Sequence, residues 1–239
     1  MIDIHSHLVF GVDDGPATIK ESIRMVLEAE KLGIKEIIVT PHYNKQLFDT
    51  DRVVENFQFL LSRVTDFDVE LHLGYEIYLN PHMMENVSIL KGKSLNSSEY
   101  LLFELPFGYI PEYCSKLLCG LHLEKIIPVL AHPERNRIFM RNFDSFIKFI
   151  ESGCLVQIDA GSVVGAYGKE ARNFARKVIR LNLAQFVASD AHCTEDYREW
   201  YPLAYNQVKQ WAGEEYTDKL FFQNAKRILS GDRSRLKDG

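Results

Sequence analysis

The sequence has no paired cysteines, no long apolar run, no excess of positive charge and no tract of biased composition. Each absence removes a class of function. The four cysteines, Cys114, Cys119, Cys154 and Cys193, are widely spaced and form no Cys-x-x-Cys pair; without an export signal they are expected to stay reduced. No segment approaches the ~18 uninterrupted apolar residues that a membrane span needs. The opening Met1-Ile2-Asp3-Ile4-His5 has neither the basic region nor the apolar stretch of a signal peptide. A net charge of −5 leaves no basic stripe for duplex nucleic acid. With no internal repeat and no linker, residues 1–239 are expected to form a single cytoplasmic domain.

What is present is an alternation of short apolar runs with segments of helical period, the pattern of βαβ units around a parallel sheet. Strands are expected at 2–5, 35–40, 69–75, 100–104, 126–131, 154–158 and 185–189. Their weak polar alternation suits strands covered on both faces. A capping box from Thr18 to Glu21 opens the first helix, with Ile19, Ile23, Val26 and Leu27 on one face. Phe143, Phe146, Ile147 and Ile150 form a second stripe, and Ala171, Phe174, Ala175 and Val178 a third. Seven such units predict a seven-stranded α/β barrel rather than an open sheet. Residues 80–99 are the main insertion, expected as a helix with a short hairpin, and the charged tail after Gly231 is expected to be mobile.

Histidines and carboxylates stand where the apolar runs end. His5 and His7 follow Ile2-Asp3-Ile4, and Asp13-Asp14-Gly15 comes soon after. His42, Glu76, Glu104 and His132 each close a strand, and Asp190 and His192 follow Phe186-Val187-Ala188-Ser189. Any one of these residues alone reads as a hydrogen-bonded structural histidine or a turn acid. His5 and His7 together are stronger, because alternate residues of an extended segment point the same way. Active sites of α/β barrels lie at the C-terminal strand ends, and carboxylates crowded there repel one another without cations. Imidazole and carboxylate without thiolate is the donor set of a multi-metal hydrolytic centre.

His5-Ser6-His7, Asp13-Asp14-Gly15-Pro16, Thr40-Pro41-His42, His132-Pro133-Glu134-Arg135 and Ser189-Asp190-Ala191-His192 together resemble the polymerase-and-histidinol-phosphatase (PHP) superfamily. Within it the chain resembles the bacterial metal-dependent protein-tyrosine phosphatases encoded with capsular and exopolysaccharide genes. The resemblance covers nearly the whole chain and implies a distorted (β/α)7 TIM-like barrel with three divalent ions, usually Mn2+, with iron and zinc also compatible with the ligands. It implies the ligands His5, His7, Asp14, His42, Glu76, Glu104, His132, Asp190 and His192. In the implied partition His5, His7 and Asp190 hold one ion, Glu104 and His132 a second with Glu76 bridging, and Asp14, His42 and His192 a third. Asp13 is a possible exchange for Asp14. Phe10, Cys193 and the position of Arg198 depart from the family pattern.

The implied reaction is attack of a hydroxide bridging two ions about 3.5–4 Å apart on a phosphate monoester. Arg135 is expected to hold the phosphate through its planar fork, with Arg198 as a second contact and Arg137 a weaker candidate. Tyr43, Phe107 and Tyr109 are candidates to flank a phenyl ring. His72 shares strand parity with Glu70 and Glu76, which places it inside the barrel. The run from Cys193 to Arg198 nearly matches a cysteine-phosphatase loop, but Glu195 and Asp196 within it would face the bound anion. The substrate implied is a tyrosine-phosphorylated protein, the autophosphorylated kinase of polysaccharide polymerisation and export. Two competing functions are hydrolysis of a small ester such as histidinol phosphate, and metal-stabilised docking to the kinase without turnover.

Overall fold

In the computed structural model, which describes residues 1–44, 46–85 and 87–231, every predicted apolar run contains a strand. In chain order the elements are β1 (Ile2–Asp3), α1 (Ile19–Lys31), β2 (Glu36–Val39), β3 (His42–Tyr43), α2 (Val53–Leu61), β4 (Glu70–Leu73) and β5 (Glu76–Tyr78). They continue with β6 (Tyr100–Glu104), α3 (Cys114–Leu123), β7 (Ile127–Ala131), α4 (Arg137–Arg141), α5 (Phe143–Glu151), β8 (Leu155–Asp159) and α6 (Ala160–Val164). The last are α7 (Lys169–Arg180), β9 (Phe186–Ala188), α8 (Thr194–Ala212), α9 (Glu214–Asp218) and α10 (Asn224–Ser230).

All strand pairing is parallel, but the ladder is not the single closed ring expected from the sequence. It forms a three-stranded sheet, β1-β2-β4, and a six-stranded sheet, β3-β5-β6-β7-β8-β9. Two predicted strands are each interrupted: Val39 faces Leu73, and His42 faces Glu76 at the same offset. Pro41, which has no N–H to give to a ladder, lies in the first gap, and Gly74 lies in the second. Hydrogen bonds from Gly74 N to Val39 O (2.8 Å) and from Glu76 N to Pro41 O (3.2 Å) carry the pairing across. Between β1 and β9 no regular ladder forms among the described residues, and a Ser6–Ala191 bridge with the backbone bonds His7 N to Ala191 O and Asp190 N to His5 O, both 2.9 Å, joins the edges.

Strand parity divides the core. Ile2, Ile38, Leu102, Val129, Leu155 and Phe186 pack with one another and with Leu95 and Ile228. The intervening Ile37, Leu101, Phe103, Leu130, Val156 and Val187 pack against the helices. Thr18 caps α1 as predicted, with both halves of the capping box formed; of its predicted stripe Val26 is buried, while Leu27 is exposed and Met25 and Ala29 occupy the core instead. The α7 stripe is buried throughout, and Phe146 of α5 meets Phe139 and Phe174 edge-on at 5.7 and 5.1 Å. The insertion is neither helix nor hairpin among the described residues: it is three 3₁₀ segments, Pro81–Glu85, Val87–Lys93 and Leu95–Ser97. Val87, Ile89 and Gly92 disfavour an α-helix, and Asn96 and Ser97 take left-handed backbone with φ of 50° and 55°. The tail after Gly231 lies outside the described residues.

Phe146 is fully buried between two aromatic neighbours, so Phe146→Ala is expected to cost about 3–5 kcal/mol in urea unfolding. A loss below about 1 kcal/mol would mean that the helix layer closes over the gap.

Candidate metal centre

The parity that sorts the core also aims the ligands. Ile38 and Leu102 belong to the inner cluster, and His42 and Glu104 lie four and two residues further along the same runs, on the same side. Ala188 and Asp190 repeat the relation. Two ligands also depend on unusual backbone. His132 and Asp190 lie in the left-handed region, with φ of 31° and 51°, a conformation that costs a non-glycine residue roughly 1–2 kcal/mol. For His132 it reorients a side chain that follows the inward-facing Ala131.

All nine predicted ligands converge at the C-terminal strand ends. The donor atoms of eight of them form three overlapping groups: His5, His7, Glu76 and Asp190; His7, Asp14, His42 and His192; and His42, Glu76 and Glu104. Glu76 is at the middle. Its Oε2 lies 3.4 Å from His5 Nε2, 3.5 Å from His7 Nε2 and 2.9 Å from His42 Nδ1, while Oε1 lies 2.8 Å from His132 Nε2. His132 therefore meets Glu76 and is not grouped with Glu104, whose nearest ring is His42 at 3.2 Å. Asp14 lies between His42 (3.5 Å) and His192 (3.3 Å).

Burial disfavours charge on these groups, yet their mutual attraction outweighs it. Desolvation pushes His42 down, but the Glu76 carboxylate carries it up to about 10. His5 is raised likewise against desolvation by Glu76 and Asp190, and His7 well above its ordinary value, chiefly by Asp13. Against the same burial cost, His5 and His42 hold Glu76, and His5 and His7 hold Asp190, well below the ordinary carboxylate range. The hydrogen bond with His192 takes Asp14 down to about 2.

The donor arrangement fits divalent cations. His5 Nδ1 points at Gln157 Oε1 (3.0 Å), His7 Nδ1 at Asp13 Oδ2 (2.9 Å) and His192 Nδ1 at the Asp190 carbonyl (2.7 Å). An oxygen acceptor on Nδ1 fixes the proton there and turns the Nε2 lone pair toward the centre, as outer partners of metal-bound imidazoles do. The Nε2 atoms of His5 and His7 then face each other at 3.3 Å, a contact of two electron-rich atoms that a shared cation relieves. His42 Nδ1 and Glu76 Oε2 are buried 2.9 Å apart without the alignment of a hydrogen bond.

Asp13 is thus placed behind the ligands: besides His7 it accepts from the amides of His42 and Gly15, both 3.0 Å. Gly15 makes this turn possible, since a Cβ there would lie 2.4 Å from the His7 carbonyl oxygen. Arg135 reaches Asp190 Oδ2 at 2.9 Å and Asp159 Oδ2 at 3.6 Å. Its guanidinium is sandwiched between Phe107 (4.6 Å) and Tyr167 (4.2 Å). Tyr109 lies on the exposed rim beyond Phe107. Tyr43 faces outward, packed with Tyr75 at 5.8 Å under Lys93, because it follows the inward-pointing His42. Arg198 turns away to Glu28 of α1, 3.4 Å, and is not among the ligands. His72 meets Glu36 at 3.2 Å at the opposite ends of the strands. Cys193 has its thiol pushed up by burial, and the Asp196 carboxylate accepts from the Cys193 amide, which leaves no anion cradle there.

Several contributing residues escaped the sequence analysis. Asp3 accepts from Ser189 Oγ (2.6 Å) and from the hydroxyl of Tyr197 (2.9 Å), whose oxygen also lies 2.9 Å from Ser6 Oγ and can accept from it, so these residues lock β1 to the turn after β9. Tyr167 is seated by Trp200 and by Gly161, where a Cβ would come 2.8 Å from the tyrosine ring and 2.9 Å from Trp200. Phe48 stacks on His42 at 5.1 Å. Asp3, Ser6 and Ser189 had a visible signal, their places in the opening and closing motifs; Tyr167, Gly161 and Trp200 lie outside every motif.

Two outcomes follow from this geometry. His5, His7 and His42 bind protons more tightly than free histidine, so a divalent cation competes with protons for these rings. Calorimetric titration with Mn2+ in buffers of different ionisation enthalpy is expected to show net proton release, and affinity is expected to fall as pH drops; binding indifferent to pH would contradict the ligand set. Gly161→Ala is expected to push Tyr167 off Arg135, raising KM for a phosphate ester while leaving metal uptake intact; an unchanged KM would show that Tyr167 does not seat Arg135.

Comparison with known proteins gives the same direction. YwqE of Bacillus subtilis (strain 168), a tyrosine-protein phosphatase, is 38% identical over 196 residues, covering 80% of this chain and 77% of its own. The tyrosine-protein phosphatase CpsB of Streptococcus agalactiae serotype V is 30% identical over 238 residues, 96% of this chain and 98% of its own. A chain from the crystal structures of YwqE of B. subtilis and CpsB of Streptococcus pneumoniae, described as metal-dependent tyrosine phosphatases, superposes with a TM-score of 0.89 at 33% identity, covering 97% of this chain and 95% of that one. Residues 1–230 match the family described as capsular polysaccharide synthesis, CpsB/CapC. With that match, those relatives and the ligand set above, this chain belongs to the CpsB/CapC family.

Proposed function

We propose that the protein is a metal-dependent protein-tyrosine phosphatase of the cytoplasm. Its target is the autophosphorylated tyrosine kinase of polysaccharide synthesis. The observation that carries the reading is the convergence of nine imidazole and carboxylate ligands beside a single guanidinium held between two aromatic faces. In this reading the two sheets are one distorted seven-stranded ring, interrupted at Pro41 and Gly74 and joined through Ser6 and Ala191. The three groups of donors correspond to three ions, most naturally Mn2+, with His7, His42 and Glu76 shared between groups.

Divalent ions at such a centre supply Lewis acidity and bring the pKa of a coordinated water near neutrality. The protein's residues do the rest. Gln157, Asp13 and the Asp190 carbonyl keep the Nδ1 protons of His5, His7 and His192 away from the centre. Arg135, anchored on Asp190, offers its remaining N–H groups to the phosphoryl oxygens, where the fork matches the anion. Phe107 and Tyr167 hold that fork and leave an aromatic wall, Phe107 44% exposed and Tyr167 36%, against which a phenyl ester rests. A phenolate leaves readily, which is consistent with the lack of a dedicated acid among the sequence-predicted residues.

Hydrolysis of a phosphotyrosyl peptide by metal-stripped protein with Mn2+ restored, beside a phosphoseryl peptide and histidinol phosphate, tests the reading. Manganese-dependent turnover favouring the phosphotyrosyl peptide is expected; turnover of histidinol phosphate alone would move the protein to small esters, and none at all would favour docking. His42→Ala is expected to abolish turnover with the circular dichroism spectrum retained. Arg135→Ala is expected to lower kcat/KM on the order of 10²-fold, and Arg135→Lys to restore little of it, since an ammonium lacks the fork.

A further inference from the structure

A cavity of about 620 Å³ opens between α4 and α7, lined by Arg137, Arg141, Phe143, Glu170, Asn173 and Lys177 among others. Three cations face one carboxylate there, in a chain whose net charge is −5. Some basic side chains elsewhere are neutralised by carboxylates, as Arg135 is by Asp190, Arg198 by Glu28 and Lys209 by Glu214. Among the described residues Arg137, Arg141 and Lys177 have none within 4.0 Å. The Lys177 ammonium instead lies 3.5 Å over the ring of Phe143.

The cavity adjoins the segment that carries Arg135, since Arg137 lies on its wall. Asn136 follows Arg135 and caps α4, accepting from Ile138 N (2.9 Å), while its amide donates to Pro106 O (2.8 Å) and Tyr109 O (3.3 Å). Arg137 N donates to Phe107 O at 2.7 Å. The loop that covers Arg135 is therefore tied to the start of α4, and α4 carries Arg141 about 6 Å beyond Arg137 at ~1.5 Å per residue. An extended peptide advances ~3.3 Å per residue, so a side chain about two to four residues from a phosphotyrosine seated at Arg135 reaches over the cavity.

We propose that this cavity is a second substrate-binding subsite, which takes an aspartate or glutamate flanking the phosphotyrosine of the protein substrate. The inference rests on the phosphotyrosyl-protein reading above. Arg141 pairs with the incoming carboxylate through its fork, and Lys177, anchored over Phe143, adds a point charge. The site is open to solvent, so each ion pair contributes modestly and is screened by salt. Together they favour an acidic peptide by about 3- to 10-fold in affinity.

The test uses the full chain and paired fluorescent phosphotyrosyl peptides carrying Glu or Gln at the second to fourth positions on either side. Affinity is measured by anisotropy on metal-stripped protein, so the readout does not need turnover. The Glu peptide is expected to bind about 3- to 10-fold more tightly than its Gln twin at low salt, with the preference shrinking at high salt. Arg141→Glu, and separately Lys177→Glu, are expected to erase or reverse it. Equal binding of the two peptides would overturn the subsite, as would a preference that survives both substitutions. Turnover of p-nitrophenyl phosphate by the manganese-loaded wild-type protein, which involves no peptide chain, reports separately on the phosphatase reading.

Discussion

A fully buried carboxylate needs positive charge around it, and the organisation of this protein follows from how it supplies that charge to Glu76. Four imidazoles, those of His5, His7, His42 and His132, approach its two oxygens. They come from three segments, the one after β1, β3 and the one after β7, so the attraction that holds Glu76 below the carboxylate range also draws the two sheets together at one end. Where regular ladder bonds lapse, between β1 and β9, the Asp3–Ser189–Tyr197 network and the Ser6–Ala191 bridge take over. The same region carries strained backbone at His132 and Asp190. Such strain persists only where its surroundings overdetermine it, and here Glu76 and Arg135 grip the two side chains.

Protons and metal compete for one set of atoms in this arrangement. The shifts that stabilise the cluster as imidazolium and carboxylate are the shifts a cation removes when it takes the place of the protons. Three rings present Nε2 inward because an oxygen behind each holds Nδ1. Selection of the donor atom therefore rests on Gln157 and Asp13, which stand behind the ligands, and on the backbone carbonyl of Asp190. The aromatic grip on Arg135 is a comparable device: two π-faces and two carboxylates leave the guanidinium few orientations, so little freedom is lost when it meets an oxyanion.

The strand positions and the polar residues that end the strands were legible because both follow from short-range rules. Apolar runs such as Ile37-Ile38-Val39 and Val129-Leu130-Ala131 can be little else than buried strands, and a polar residue at the end of each stands out. The insertion, expected as a helix with a short hairpin, is instead broken into 3₁₀ turns around Gly92 and the left-handed Asn96 and Ser97. Tyr43 was misplaced for a simpler reason. It adjoins His42, and successive strand residues point to opposite faces, so proximity in sequence to a ligand put it in the outer layer. Arg198 lay near the last motif, yet the course of α8 carries it to Glu28 of α1.

The sequence by itself determined the α/β class, the parallel strands and the chemical identity of the centre, because those depend on hydrophobic period and on which side chains end each run. The tertiary structure alone decided which ligands share a donor group, that His132 meets Glu76 while Glu104 meets His42, and that Tyr167 and Gly161 belong to the site. It also decided that the ladder opens at Pro41 and Gly74. The physical reason is range: pairing of residues such as His5 with Gln157, or Arg135 with Tyr167, depends on the registers of several strands at once, and no local pattern encodes that sum.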